Sequence, residues 1–369
     1  MTLRGHKGRL IILICVLGLI SPAHAVVNLE WHPATQVVVA GGIASIELHA
    51  FADAPAGHVI SGMDLIVQND TARTRLIQID SSIATYPWLV DGLFEGAPDD
   101  LNKNTADGTV LYTAFAHLGF KHPVPGAGIT VADFRFRISP LTGTTTVSLL
   151  KQTGTLAQSL VFDGVIPDLD ILGAMGSATL TVIPVPTIAA SIGSAKQHPD
   201  GTSVQIHCPV TRTFANEGFF YIEDPKRAAG IRVNTAVGLE PPEGSSQIVT
   251  GILATIDGER VIKDSILVEA GPAAIPNPVG IKVDSATNPP GLSPQGLYVR
   301  MTGKAEVASA PASSFVLNDG SLTPIRVDLH NATAPPDGDW VEVTGVLGAD
   351  ASGPVVRVNR QLDIRTMAR

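Results

Sequence analysis

Cysteine, charge and aromatic rings are all scarce in this chain of 369 residues. There are two cysteines, Cys15 and Cys208, and Cys15 lies in an apolar N-terminal run. Once that run is removed, Cys208 has no partner within the chain, so stability must come from packed cores. Its setting, Val204 to Val210, reads as a strand with Cys208 facing inward, and a buried, inert thiol is expected. Charged residues make up 16% and aromatics 5%. Basic residues (25) are outnumbered by acidic ones (34), giving a net charge of −9. That balance disfavours electrostatic binding to nucleic acid or anionic lipid as the main activity. The longest apolar run, Leu10 to Ile20, is too short for a stable membrane anchor, and no second run exists. A sustained 3.6-residue period is also missing, so helices should be few and short.

Catalytic signatures are lacking too. The sequence has no G-x-S-x-G, H-E-x-x-H, P-loop or dinucleotide-binding turn. His32, His49, His58, His117, His122, His198, His207 and His330 are scattered, and only His117 and His122 are close in sequence. The chain reads as a non-enzyme with no cofactor.

Gly (36) and Pro (27) are plentiful, and Val, Ile and Thr recur in short runs between them. This is the composition of an all-β protein with many turns. Residues 1–25 read as a secretory signal. Arg4, Lys7 and Arg9 precede the apolar run, Pro22 breaks it, and Ala23-His24-Ala25 offers a cleavage site. Cleavage near Ala25 would move the net charge from −9 to −12 and send the protein to the periplasm, cell surface or medium.

Residues 26–183 hold about nine short strand candidates. Ile43 to Phe51 alternates, with Ala44, Ile46, Leu48 and Ala50 predicted to face the core. Asp107-Gly108 before Thr109 reads as a hairpin turn. Strands of this kind with no substantial helix close naturally as a sandwich. The order of features supports a resemblance. It runs from Gly41-Gly42 and Ser61-Gly62-Met63-Asp64-Leu65 to Asp107-Gly108-Thr109-Val110-Leu111-Tyr112. It ends with Val131-Ala132-Asp133-Phe134-Arg135-Phe136 and Ala178-Thr179-Leu180-Thr181-Val182. In these features the segment resembles cohesins and related carbohydrate-binding jelly-roll sandwiches. The resemblance implies attachment to an exported protein or association with polysaccharide.

Two features of this segment are candidate sites. Tyr86 and Trp88 flank Pro87 on a long connection, where they could stack on a sugar or a partner or pin the loop to the sandwich. Asp100, Asn102 and Asn104 start like a calcium loop, with alternate oxygen donors. Thr105 and Leu111 stand where such a loop needs Gly and Glu, and Asx turns account for the same residues.

After a Pro-rich linker (184–201), one pattern occurs twice, in modules 202–280 and 281–369. Phe219-Phe220-Tyr221-Ile222-Glu223-Asp224, Gly230-Ile231-Arg232-Val233 and Thr250-Gly251 return as Ser314-Phe315-Val316-Leu317-Asn318-Asp319, Pro324-Ile325-Arg326-Val327 and Thr344-Gly345. A period this long marks a duplicated small domain. Each copy resembles an OB-fold module, which implies a five-stranded barrel that binds oligonucleotides or oligosaccharides on strands 2 and 3. On that resemblance Tyr221 and Arg232 are the candidate ligand contacts. Arg232 and Arg326 should point outward, with Glu223, Asp224 or Asp319 as ion-pair partners. The second copy has lost most of the aromatics. The expected protein is an all-β, exported scaffold: a jelly-roll sandwich plus two OB-like barrels. Its expected partner is a polysaccharide or an exported protein, with single-strand nucleic-acid or oligosaccharide binding by the barrels as the alternative, and a polysaccharide hydrolase accessory or an enzyme whose site the sequence does not display as the second.

Overall fold

The computed structural model describes residues 26–367, apart from 56, 166–168, 288, 290–292 and 309–311. The signal read over residues 1–25 lies outside the described residues. The fold is all-β, as expected. The first sixteen strands are β1 (Val27–His32), β2 (Thr35–Val39), β3 (Ile43–Ala52), β4 (His58–Ile60), β5 (Gly62–Asn69), β6 (Thr74–Asp80), β7 (Val90–Leu93), β8 (Thr109–Phe115), β9 (His122–Val124), β10 (Ile129–Ile138), β11 (Gly143–Leu150), β12 (Gln152–Thr153), β13 (Ala157–Gln158), β14 (Leu160–Phe162), β15 (Leu172–Met175) and β16 (Ser177–Ile183).

Two sheets of these strands face each other. One has the order β15-β1-β3-β10-β6 and the other β2-β16-β11-β5-β8-β7, with β14 added beside β5. Alternation decides what fills the space between them. Ala44, Ile46, Leu48 and Ala50 of β3 are fully buried, as predicted, and meet Met63, Leu65, Tyr112 and Phe134 from the other strands. Trp31 and Tyr112 both stand edge-on to Phe134, at 5.1 and 5.4 Å between ring centroids. Asp107-Gly108 makes no hairpin. Gly108, at φ +88°, ends a 3-10 turn, and its carbonyl accepts from Asn69 N–H.

A small lobe covers part of the second sheet's outer face. Ile66 and Leu111 point outward there and are buried under Leu101, Ala97 and Ala157. Asp99 is the latch. Its carboxylate accepts from the backbone N–H groups of Thr155, Leu156 and Ala157 and from the Thr155 hydroxyl. The N–H groups of Leu156 and Ala157 hold its carboxyl below the usual carboxylate range. Asp99→Ala should therefore speed amide exchange at Leu156 and Ala157, measured by hydrogen–deuterium exchange. A lowered folded-state pKa means that the latch holds above the ordinary carboxylate range and loosens as pH falls through it. Wild-type exchange at these amides should rise towards the alanine value in acid.

The rest of the chain forms two barrels. The first comprises β17 (Thr187–Ile188), α1 (Ile192–Lys196), β18 (Ser203–Phe214), β19 (Phe219–Glu223), β20 (Gly230–Asn234), β21 (Ser245–Ile256) and β22 (Glu259–Pro272). The second comprises β23 (Val279–Gly280), α2 (Val283–Thr287), β24 (Tyr298–Glu306), β25 (Ser314–Asn318), β26 (Ile325–Leu329), β27 (Trp340–Asp350), β28 (Gly353–Val358) and β29 (Ile364–Thr366). In each, five strands close in the order 1-2-3-5-4-1, with strands 3 and 5 parallel: β18-β19-β20-β22-β21 and β24-β25-β26-β28-β27. These are small five-stranded OB-like barrels. Asp257 and Gly258, both at positive φ, turn β21 into β22.

The duplicated Asp has a shared task. Asp224 accepts from Ile192 N–H at the start of α1, and Asp319 accepts from Val283 N–H at the start of α2, each at 3.0 Å. The repeated unit therefore includes a short strand and helix ahead of the first long strand. Asp224 also accepts a contact from the Cys208 thiol, at 3.7 Å. Cys208 is buried as expected, and burial pushes its thiol up to about 12.

Candidate interaction surfaces

The aromatics of the first barrel lie in a buried junction. Phe214, Phe219 and Tyr221 pack against Tyr298 and Val346 of the second barrel. Tyr221 is fully buried. Its hydroxyl donates to Glu259 Oε1 (2.7 Å) and accepts from Arg357 Nη1 (2.5 Å). Arg357 also donates to Glu259 Oε2 (3.0 Å) and to the Ala349 carbonyl (2.9 Å). Arg232 stacks over the Phe219 ring at 4.2 Å and lies 3.6 Å from Glu259. A second cluster is centred on Arg212, which pairs with Glu243 and Asp363 (3.1 Å each) and lies over the Tyr298 ring. Asn359 ties the Thr213 carbonyl to Glu243. Backbones touch as well, since a side chain at Gly230 would strike the Gly296 carbonyl and one at Gly296 would strike that of Gly230.

Two expectations change here. Of the two residues singled out as ligand contacts, Tyr221 is covered by the neighbouring barrel, and Arg232 is engaged within its own by Phe219 and Glu259. Arg232 pairs with Glu259, and Arg326 pairs with Asp328 (2.8 Å) and Asp350, in place of Glu223, Asp224 or Asp319. The junction also explains the aromatics missing from the second copy. Ser314 and Val316 stand at the positions of Phe219 and Tyr221, and among the described residues no barrel packs on that face.

Glu223 sits in the same junction, fully buried. One oxygen accepts from Tyr298 N–H at 2.8 Å, and the other has no partner among the described residues. Burial pushes its carboxyl up to about 7. The Tyr298 bond and Arg227 oppose that rise, and Asp224 adds to it. A raised acid binds more protons folded than unfolded, so this group's contribution to stability is greatest below its unfolded pKa and is lost as pH rises to about 7. Glu223→Gln should therefore gain on the wild type across that window, by on the order of 3 kcal/mol at most. Denaturant melts at several pH values measure it. A stability difference independent of pH would contradict the assignment.

The sandwich candidates are placed as follows. Tyr86 stacks on His122 (5.1 Å, 9°), and Trp88 meets it edge-on (4.8 Å, 75°). The Trp88 indole donates to the Val131 carbonyl at 3.2 Å. Both side chains pack against the core, so they pin the loop. His122 is buried, and that burial lowers its pKa against a backbone bond to Pro87. Asn102 uses its amide to bind Phe94 and Leu111 backbone groups. Asp100 pairs with Lys103 at 2.9 Å, and Asn104 accepts from Ala106 N–H. Among the described residues no group of three or more His, Cys, Asp or Glu side chains is placed to hold a metal ion.

The feature that sequence reasoning missed is on the second sheet's outer face, beyond the Asp99 lobe. Strand register aligns Phe162 of β14, Gly62 of β5, Phe115 of β8 and Val90 of β7 in one row. All four face outward, because their neighbours Val161, Met63 and Ala114 fill the core. The Phe115 ring lies over Gly62, where any side chain would collide with it. Phe115 and Phe162 stack at 6.2 Å with 18° between their planes. Leu118 (94% exposed) and Phe120 (69%) rise from the next loop, and Leu89, Val90, Val165 and Leu169 are also exposed. His117 and Lys121 border a 510 Å³ groove beside this apolar shelf. The opposite outer face is polar. Glu47, Asp133 and Asp80 share a row there, with Arg135 bonded to Asp133 at 2.8 Å and Ser45 donating to Asp133. An isolated exposed leucine is ordinary, but contiguous exposed apolar residues mark an interaction surface.

The fold thus defines an all-β protein with a jelly-roll sandwich and a fused pair of OB-like barrels. No protein-family model matches the sequence, and no curated protein matches it. Solved structures similar to it include cohesins. The sixth cohesin of scaffoldin B from Acetivibrio cellulolyticus, solved with a Cel5 dockerin, is 17% identical and matches over 43% of this chain and 98% of its own, with a TM-score of 0.31. The seventh ScaB type I cohesin from Pseudobacteroides cellulosolvens is 12% identical over 44% and 94%, with a TM-score of 0.32. A cohesin module of a Clostridium perfringens family 33 glycoside hydrolase is 12% identical over 44% and 99%, with a TM-score of 0.32.

Proposed function

We propose that this is an exported, non-catalytic scaffold protein whose sandwich docks another exported protein on the Phe115/Phe162 shelf. The shelf is the observation that carries the reading. It is broad, apolar and built on paired strands, so a partner would meet a preformed surface and lose little of its binding energy to ordering. Stacked aromatics at the centre of such a patch are the residue types that dominate protein–protein binding energy. The fused barrels serve as a rigid extension of the sandwich, because their aromatic face is already filled. That arrangement also weighs against the nucleic-acid alternative, which needs free aromatics in a basic groove.

The test compares the mature chain with a Phe115→Ser/Phe162→Ser variant in capturing exported proteins of the source cell. Partners held by the wild type and released by the variant support the reading. Identical captured sets, or none for the wild type, would count against it.

A further inference from the structure

The exposed Trp340 sets the second barrel apart from the first. Of the three tryptophans, Trp31 is buried in the sandwich and Trp88 is fixed through its indole N–H. Trp340 opens β27 at 46% exposure. Its counterpart in the first barrel, aligned by strand pairing, is Ser246. The duplication therefore carries a large aromatic on the surface of one copy only, where burial gives no reason for it.

Trp340 stands at the wall of a 430 Å³ cavity, with Thr302, Lys282, Asp284 and Ser321 around it. The floor is held firmly, because Asp319 accepts from both Val283 N–H and Ser321 N–H at 3.0 Å. Neither Lys282 nor Asp284 forms an ion pair among the described residues. The Ser321 hydroxyl is buried beside the Asp319 carboxylate. The cavity thus combines an indole face with hydroxyls, one ammonium and two carboxylates, those of Asp284 and the floor residue Asp319. It lies against strands 1 and 4 of the barrel, and the loop between strands 2 and 3 supplies Asp319, Gly320 and Ser321.

We infer that this cavity is a carbohydrate-binding site that takes a neutral pyranose ring of a polysaccharide, with Trp340 as its stacking platform. The ring's C–H face lies on the indole. Its hydroxyls exchange hydrogen bonds with Asp284, Lys282, Thr302 and Ser321, which supply both donors and acceptors. A phosphate-bearing ligand fits less well, because Asp284 and the acidic chain oppose it. The inference does not depend on the docking shelf, which is on a different module.

Affinity electrophoresis of the mature chain tests it, using gels containing hydroxyethylcellulose, xylan, galactomannan or dextran. The wild type should be retarded by at least one of them. Trp340→Ala should weaken the dissociation constant by about tenfold or more with an unchanged melting temperature. Trp340→Phe should retain part of the affinity, and the Phe115→Ser/Phe162→Ser variant all of it. Should Trp340→Ala fail to fold, Asp284→Ala must show the loss. Absence of retardation in all four gels, or equal retardation of the wild type and the Trp340 and Asp284 variants, would overturn the site.

Discussion

Replacing Arg357 with alanine should destabilise the barrel pair by about 3–5 kcal/mol. Arg357 is 6% exposed and makes three hydrogen bonds. It donates a hydrogen bond to the Tyr221 hydroxyl, pairs with Glu259 and binds the Ala349 carbonyl. Without it, Glu259 keeps the Tyr221 hydroxyl and a looser ion pair with Arg232, at 3.6 Å, in a site that water does not reach freely. An uncompensated buried carboxylate is costly, whereas removing both charges together is often close to neutral. The double replacement Arg357→Met/Glu259→Leu should therefore recover much of the loss. Arg326→Ala, which breaks a half-exposed triad with Asp328 and Asp350, should cost about 1 kcal/mol or less. Urea denaturation of the mature chain separates these cases. Equal costs for Arg357→Ala and Arg326→Ala would mean that the junction is not the barrels' main fastening.

The second large effect is on binding. Phe115→Ser/Phe162→Ser should weaken partner capture by about 100-fold, the loss of some 2–3 kcal/mol expected when central aromatic anchors go. Folding should be little affected. Phe115 is 40% exposed and Phe162 is half-buried on an outer face, so neither holds the core. Gly62→Leu makes the complementary test. It leaves both aromatics in the sequence but drives the Phe115 ring off the sheet, and capture should fall with it.

What the sequence disclosed, and what it hid, follows from the distance over which each feature is encoded. Alternation is local, so the inward set of β3 was legible from residues 43–51. Duplication is a comparison of the chain with itself, so two barrels were legible from the Phe219 and Ser314 stretches. The residue types at the junction were legible too, since aromatics and Arg on strand 2 and 3 positions drew notice to Tyr221 and Arg232. Their partners were not. Glu259 is 38 residues from Tyr221 and Arg357 is 136 away, so only the packing of one barrel on the other shows that this face is filled. The difference in aromatics between the two copies was a visible trace of that packing, because Phe219 and Tyr221 stand on the face that the second barrel covers. The shelf was hidden for a similar reason. Its row depends on the mutual register of four strands, and residue spacing in β5, β8, β7 and β14 does not encode that register. A weaker signal did exist. Phe115 occupies the outward parity of a strand whose inward set is Val110, Tyr112 and Ala114, and Leu118 and Phe120 continue the apolar run into a loop.

The most direct measurement is a hydroxyl-radical footprint of the mature chain with and without a captured partner. The docking account predicts protection at Phe115, Leu118, Phe120 and Phe162, with the polar face around His49, Asp133 and Arg135 unchanged. Protection of that polar face with the shelf still reactive would contradict it.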